Sequence, residues 1–275
     1  MNGFALEASF HWAAVALYIL GTALFAYALI FSRPGGIRWA LWITCAGLLP
    51  HSVALLLRWH AVGHGPYMLK YEVLSSNTWI AVVMLLLFVW RRRDWSAVAL
   101  VVMPACILMM GLGLFANPEA RNLPPTLRSM WLVFHVFFNK LAVGAFLLSA
   151  GASVALLLKL RGVKGRFLEK LPGTDVMEAY MVRFVGFGFV FWSTTIGAGA
   201  IWANQSWGRY WGWDPIETWS LVTWLCYGAL LHARFFFRLS GRAAAWGVLA
   251  CFLVSILTVL IFPFVFPSLH SAYFQ

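Results

Sequence analysis

The sequence predicts an all-α protein: a polytopic bundle of membrane-spanning helices that forms one domain over residues 1–275. Of 275 residues, 62% are hydrophobic and 11% are charged, whereas a soluble domain carries about 25% charged residues. Apolar runs recur along the chain, and a helix needs roughly 20 apolar residues to cross a bilayer. The runs are continuous and not alternating, which favours helices over barrel strands.

Eight apolar runs are expected to be spanning helices. They lie near residues 10–31, 38–58, 73–90, 95–115, 129–158, 180–202, 217–238 and 243–266. The third run is the shortest. No linker, low-complexity tract or convincing internal repeat separates the runs, so the chain is treated as a single domain.

Basic residues cluster in alternate loops. These clusters are Arg33 and Arg38, Arg91 to Arg93, Lys159 to Lys170, and Arg234 to Arg242. Because Lys and Arg beside spans collect on the cytoplasmic side, these loops are expected inside and both termini outside. The net charge of +11 is therefore a topology signal, with the lipid bilayer and no nucleic acid as its partner.

The four cysteines form no CxxC pair and lie within the predicted spans; they are Cys45, Cys106, Cys226 and Cys251. Buried free cysteines behave as small apolar side chains. We expect them to fill space in the bundle, so any thiol chemistry has to come from another protein.

Tryptophans are concentrated between spans six and seven, in what we call the tryptophan segment (residues 202–224). Six of the 16 tryptophans of the chain lie there: Trp202, Trp207, Trp211, Trp213, Trp219 and Trp224. An interfacial aromatic belt accounts for one or two at each helix end. Large flat rings on a loop with glycines, which let the backbone approach closely, predict a platform for a flat aromatic ligand.

The carboxylates of the tryptophan segment have a local explanation. Asp214 before Pro215 has the pattern of a helix N-cap followed by proline at the first helical position. Glu217 stands three residues after Asp214, which is the spacing of a capping box. A structural role is favoured over a catalytic one for both.

The motif WGRYWGWDPIETW resembles the tryptophan-rich WWD signature of haem-handling membrane proteins. Its form is more similar to the CcsA/ResC family of system II cytochrome c synthases than to the CcmC or CcmF branches. The likeness extends to GHGPYMLKYE, WLVFHVFF, YGALLHAR and the terminal SLHSAY. One departure is Ile216, where a basic residue is expected in this family.

The resemblance implies a haem lyase subunit of the bacterial cytoplasmic (inner) membrane. Such a protein takes haem b as its substrate, delivers it across the membrane and attaches it to the CxxCH thiols of apocytochrome c on the outer face. It also implies a CcsB/ResB-type membrane subunit as partner, with a thioredoxin-like thiol reductant as a further candidate.

Four of the seven histidines are candidate haem ligands. His135 and His270 are expected outside, flanking the tryptophan segment, as a bis-histidine haem iron requires; the resemblance matches both to the family's external histidines. The resemblance also makes His232 an in-membrane haem ligand. The second histidine of that in-membrane haem site is supplied by the CcsB/ResB-type partner or is His51 of this chain.

The other histidines are not expected to bind iron. His11 is interpreted as interfacial, and His60 and His64 as solvated or facing a partner. The predicted haem-binding set comprises His51, His135, His232, His270, Trp202, Trp207, Gly208, Arg209, Trp211, Gly212, Trp213, Asp214, Trp219 and Trp224.

Two cations are candidate partners for the haem propionates. Lys140 follows Asn139 deep in span five, where a charge is costly, so it snorkels, pairs with a carboxylate or neutralises a propionate. Arg209 lies in the tryptophan segment, and arginine binds carboxylates bidentately.

Other functions remain open at this stage. A haem exporter or chaperone, or a HemX-like regulatory membrane protein, would share the fold without ligase activity. A b-type electron-transfer cytochrome would place histidine pairs on neighbouring helices at mid-bilayer. A solute transporter would need broken helices with polar residues near the midplane, for which only Asn139, Lys140 and His51 are available.

Overall fold

Long helices make up most of the computed structural model, which describes residues 3–114, 123–163, 165 and 169–268. Within these residues there is no strand, and the all-α prediction is confirmed. The long helices are α1 (Gly3–Ile30), α2 (Pro34–Val62), α3 (Lys70–Arg91), α4 (Ala99–Leu114), α5 (Met130–Leu160), α6 (Thr174–Trp207), α7 (Pro215–Phe236) and α8 (Gly241–Ile256).

Seven helical segments of the described chain are long and apolar enough to cross a membrane, which confirms a polytopic membrane bundle. The predicted seventh span, α7, is not among them. It has 22 residues, as α3 does, but polar side chains are interspersed along it. Each of the eight predicted runs nevertheless corresponds to one long helix.

Several helices depart from the predicted spans at their ends. A 3₁₀ segment, Arg93–Val98, leads into α4, and a shorter one, Pro125–Leu127, precedes α5. After α8 the helix widens into a π turn, Leu257–Ile261, and ends in α9, Phe262–Val265.

The π turn has a local cause. The amide N–H of Phe262 donates to the carbonyl of Leu257, five residues back. Pro263 has no N–H, and a helical proline ring crowds the carbonyl four residues before it, which here is that of Val259. The widened turn accommodates that ring.

The helices pack around one main apolar core. α1 runs along α2, and α5 along α6, while α3 packs on both α4 and α5. The rings of Phe146 on α5 and Tyr227 on α7 stack with centroids 3.7 Å apart and planes within 4°. All four cysteines are unpaired and two of them, Cys106 and Cys251, are buried.

The end of the bundle that carries the tryptophan segment is called the outer end, because the basic loops lie at the opposite, inner end. At the outer end, ionic contacts join α1, α2 and α3. Arg58 Nε donates to Glu72 Oε1 at 2.9 Å, and Arg58 lies 4.0 Å from Glu7. Glu72 also accepts the backbone N–H groups of Met68 and Leu69, at 3.0 and 3.2 Å. The segment between α2 and α3 is thereby fixed against the bundle.

Candidate functional site

A largely apolar cavity of about 610 Å³ lies at the outer end, between α3 to α8 and the π turn. That volume is typical of sites for small molecules and cofactors. Its polar lining residues are Tyr67, Lys70, His135, Asn139, Thr195, Tyr210, Trp211, Glu217, Ser220 and Thr258. A large flat apolar ligand with a few polar substituents suits such a space.

His135 on α5 is one turn above Asn139 and lines the cavity. Its Nδ1 donates to the backbone carbonyl of Thr195 at 2.8 Å. Since a carbonyl can only accept, the proton sits on Nδ1 and the lone pair on Nε2. A hydrogen bond from the other ring nitrogen to a backbone carbonyl fixes the tautomer and ring orientation of a metal-binding histidine.

The contact between His135 and α6 depends on a glycine. A Cβ atom at Gly199 would lie 2.6 Å from Nδ1 of His135, closer than real Cβ atoms approach other atoms. Gly199 therefore gives the imidazole room beside Thr195, with which it shares one face of α6.

Two of the six tryptophans line the cavity. Trp202 is buried, and its indole N–H donates to the carbonyl of Thr126 at 2.8 Å; its ring centroid is 6.2 Å from that of His135. Trp211 also lines the cavity, and its indole nitrogen is buried without a hydrogen-bond partner in the described structure. An aromatic wall thus stands beside the imidazole.

The remaining tryptophans do not line the cavity. Trp207 packs on Trp202 at 4.9 Å between centroids, Trp219 on Phe262 at 4.2 Å, and Trp224 on Phe189 at 5.3 Å. Trp224 also donates to Ser193 Oγ at 2.7 Å. The predicted platform is consequently smaller than the tryptophan segment, since Trp207 packs within α6 and the rings of Trp219 and Trp224 join α7 to neighbouring helices.

Trp213 differs from the other five. It is 70% exposed and adopts φ of 56°, the left-handed region that is costly for a bulky residue. Its ring meets that of Trp211 edge-on, with centroids 5.9 Å apart. Trp213 therefore projects from the rim of the cavity.

The capping box predicted at the start of α7 is confirmed. Asp214 Oδ1 accepts the N–H of Ile216 at 2.9 Å, and Glu217 Oε2 accepts the N–H of Asp214 at 3.2 Å. The same Glu217 oxygen accepts the N–H of Gly212 at 2.7 Å. Glu217 therefore shapes the loop that carries Trp211.

Two other residues of the predicted set shape the same loop. Gly208 ends α6 with φ of 72°, a left-handed conformation that glycine adopts without penalty. The guanidinium of Arg209 lies so close to Gly212 that a Cβ there would be 2.4 Å from its Cζ. Arg209 does not line the cavity.

The π turn forms one wall of the cavity. Four consecutive residues of it, Thr258 to Ile261, line the space, whereas one face of a regular helix repeats every 3.6 residues. Thr258 also bonds to Thr223 of α7 at 2.8 Å. Pro263 thus contributes to the site through the backbone that precedes it.

His51 does not reach this cavity. It is fully buried, and its ring nitrogens bond to Tyr18 Oη and Ser75 Oγ, each at 3.0 Å. His11 lies beside it, within 3.3 Å of Tyr71 Oη, so it is buried and not interfacial.

The outer loop after α2 also differs from expectation. His64, expected to be solvated or partner-facing, is buried and bonds through Nδ1 to the carbonyl of Gly65 at 2.8 Å. His60 is exposed. Burial raises the pKa of Tyr67, which follows in the same loop.

Of the other two predicted ligands, His232 does not line the cavity. His232 is near the inner end of α7, exposed, and stacks on Phe236 with centroids 4.4 Å apart. His270 lies outside the described residues. Among the described histidines, His135 alone lines the cavity.

The two polar residues deep in span five, Asn139 and Lys140, have different positions relative to the cavity. Lys140 donates to Ser76 Oγ at 2.6 Å and to the carbonyl of Pro66 at 3.4 Å, and does not line the cavity. Asn139 and Lys70 do. Lys70 was not among the predicted site residues, although it belongs to the GHGPYMLKYE motif.

Comparison with known proteins identifies relatives of this chain. A family model described as Cytochrome C assembly protein matches residues 67–270. The cytochrome c biogenesis protein CcsA of Synechococcus sp. (strain CC9902) is 34% identical over 248 residues, covering 78% of this chain and 79% of that protein. For CcsA of Synechococcus sp. (strain CC9605) the identity is 33% over 277 residues, with 88% of each covered.

A solved structure shows the same fold. The cytochrome c heme lyase CcmF superposes with a TM-score of 0.69 at 18% identity, over 94% of this chain. The chain spans 46% of the length of CcmF.

Proposed function

The chain belongs to the cytochrome c assembly protein family and acts in cytochrome c maturation, and from that premise we propose that its outer cavity holds haem b for covalent attachment to apocytochrome c. The observation that carries this proposal is the position of His135 in the cavity. Its Nδ1–H is held by Thr195, and its ring lies against Trp202 in a cavity of suitable size.

His135 would bind the haem iron through Nε2 on one side. His270 follows the last described helix and is the proposed ligand on the other side. The apolar walls would exclude water from the iron, and Trp202 and Trp211 would contact the edge of the porphyrin. The protein supplies ligation, orientation and shielding, while haem carries the reactive vinyl groups.

The attachment step needs no external oxidant. Each thioether forms when a thiol S–H adds across a vinyl C=C bond, so sulfur joins one vinyl carbon and hydrogen ends on the other. The thiols would be those of a CxxCH segment approaching the outer end. A thioredoxin-like reductant would keep them reduced, because the cysteines of this chain lie within its helices.

His232 is the proposed in-membrane ligand for haem arriving from the inner side. It is exposed near the inner end of α7, a helix of which only Thr223 and Tyr227 are fully buried among its residues. An exposed imidazole on a sparsely covered helix suits a site completed by a second subunit of the CcsB/ResB type. His51, with both nitrogens engaged, is a weaker candidate for the same role.

The first experiment is the absorption spectrum of the protein purified in detergent, alone and with a CcsB-type subunit. Reduced low-spin haem is expected in the wild type, with a loss in His135→Ala and His270→Ala that added imidazole restores. A haem spectrum that neither substitution changes would contradict haem binding at the outer site.

A second experiment separates ligase from exporter. The chain and its partner subunit are expressed with a CxxCH acceptor in cells that lack other maturation systems, and covalent haem is detected after denaturing electrophoresis. We expect covalent haem on the acceptor with the wild-type chain, and none with the His135→Ala variant. Normal haem binding without covalent product would instead favour a haem exporter or chaperone.

A further inference from the structure

The charge distribution in the cavity is uneven. Lys70, the first residue of α3, is the only lysine or arginine among the described residues that line it. Its side chain is partly exposed, so its ammonium can reach both the cavity and its rim. This places a cation on the α3 wall.

The carboxylate in the lining is bonded to the backbone and has no donor to offer a propionate. Glu217 is the acidic residue among the described lining residues, and its Oε2 accepts the N–H groups of Gly212 and Asp214. The two cations that the sequence suggested as propionate partners are directed elsewhere: Lys140 to Ser76, and Arg209 to Gly212.

The serine and threonine hydroxyl groups in the lining are also engaged. Thr195, Ser220 and Thr258 each donate to a backbone carbonyl three or four residues back. Side chains bonded in this way to their own helix offer little to a ligand. An anionic substituent entering the cavity would find its complementary charge at Lys70.

Haem carries its two propionates on one edge and its vinyl groups across the ring from them. We propose that the ammonium of Lys70 pairs with a haem propionate and so determines which edge of the porphyrin faces the α3 wall. This inference rests on the proposed function, because it names the group that orients the same ligand.

The orientation has a chemical consequence. With the propionates held at α3, the vinyl edge is turned away from that wall, toward the opposite side of the cavity. The thiols of an acceptor would then approach on that side. Lys70 acts as a binding and orienting residue and takes no part in forming the thioether bond.

The test compares two ligands that differ only in charge. Haem and haem dimethyl ester, whose carboxylates are capped as neutral esters, are titrated into haem-free protein while Soret absorbance is recorded. Lys70→Met is expected to weaken haem binding about 10- to 100-fold, the range for a lost hydrogen bond to a charged group, and to leave ester binding unchanged. Lys70→Glu should weaken haem binding further, and Lys70→Arg should restore most of it.

Two controls keep the result specific. Lys170→Met removes an exposed lysine at the inner end and should change neither affinity. Retained ester binding by Lys70→Met shows that the variant is folded.

If Lys70→Met weakens the binding of haem and of the ester equally, or does not weaken haem binding, the assignment of Lys70 is overturned. The proposed function is still supported in that case if haem binding depends on His135. Wild-type protein that binds neither ligand overturns both.

Discussion

Gly199 controls the closest contact between α6 and the imidazole of His135. In Gly199→Ala the new Cβ would meet Nδ1 at 2.6 Å, so the ring has to leave Thr195. Loss of the hydrogen bond that orients a metal-binding histidine costs about 10- to 100-fold in metal affinity, and we expect a loss of that order in haem titrations.

Gly197→Ala is the matched control, because a Cβ at Gly197 has no neighbour within 4 Å. Both variants gain the same helix propensity, so backbone effects cancel in the comparison. Equal haem affinity in the two would argue against the orienting role of the Thr195 carbonyl.

At the scale of single residues, the sequence singled out His135 through its expected outer position beside the tryptophan segment and through the family resemblance, and the structure places it in the cavity lining. The sequence could not separate the six tryptophans. Trp202 and Trp219 are the same residue type, yet one lines the cavity and the other packs on Phe262, 43 positions further along the chain. Only tertiary contacts distinguish them.

At the scale of elements, Glu217 joins the start of α7 to the loop before it. Glu217→Ala removes the acceptor for the N–H groups of Gly212 and Asp214. A lost cap of this kind costs about 1 kcal/mol, so we expect a lower melting temperature in detergent. Haem affinity should also fall, because the loop carries Trp211.

Two neighbouring substitutions bracket that result. Glu217→Gln keeps an acceptor oxygen and should fall between Glu217→Ala and the wild type. Thr218→Ala leaves its own amide bond to Asp214 intact and should behave as the wild type. A Glu217→Ala protein with unchanged stability would show that the cap contributes little.

The helices themselves could be predicted well, because continuous apolar runs leave few alternatives in a bilayer. The capping box at Asp214 and Glu217 was also predictable, since its three-residue spacing is local. The π turn was not, since nothing within Leu257–Ile261 distinguishes it from a regular helix. Only Pro263 hints that the hydrogen-bond ladder is interrupted.

At the scale of the whole molecule, sidedness can be tested directly. In a variant without Cys45, Cys106, Cys226 and Cys251, single cysteines are introduced as Tyr210→Cys or Val163→Cys, both at exposed positions at opposite ends of the bundle. The basic loops predict that position 163 faces the cytoplasm.

A membrane-impermeant maleimide should therefore label Tyr210→Cys in intact cells and Val163→Cys only after permeabilisation. The reverse pattern would invert the topology and place the cavity on the cytoplasmic side. Labelling of both in intact cells would show that the cells leak and calls for membrane vesicles of known orientation.

The cavity is formed by the tertiary structure of the whole bundle. Its lining extends from Tyr67 to Pro263 and draws on every helix from α3 to α9, so no single motif contains it. The sequence indicated its outer position through His135 and the tryptophan segment. Lys70 could not be predicted as a lining residue, because its place in the cavity depends on tertiary contacts and not on the residues adjacent to it in sequence.

The π turn also changes how the end of the chain has to be read. Because successive residues of a helix are rotated by about 100°, one additional residue in a turn advances the angular phase of everything after Ile261 by that amount. A helical wheel drawn through α8 and continued to Val265 would therefore assign the last residues to the wrong face. Removing a single residue from Leu257–Ile261 would reset this phase, so the length of that turn, and not only its side chains, is under constraint.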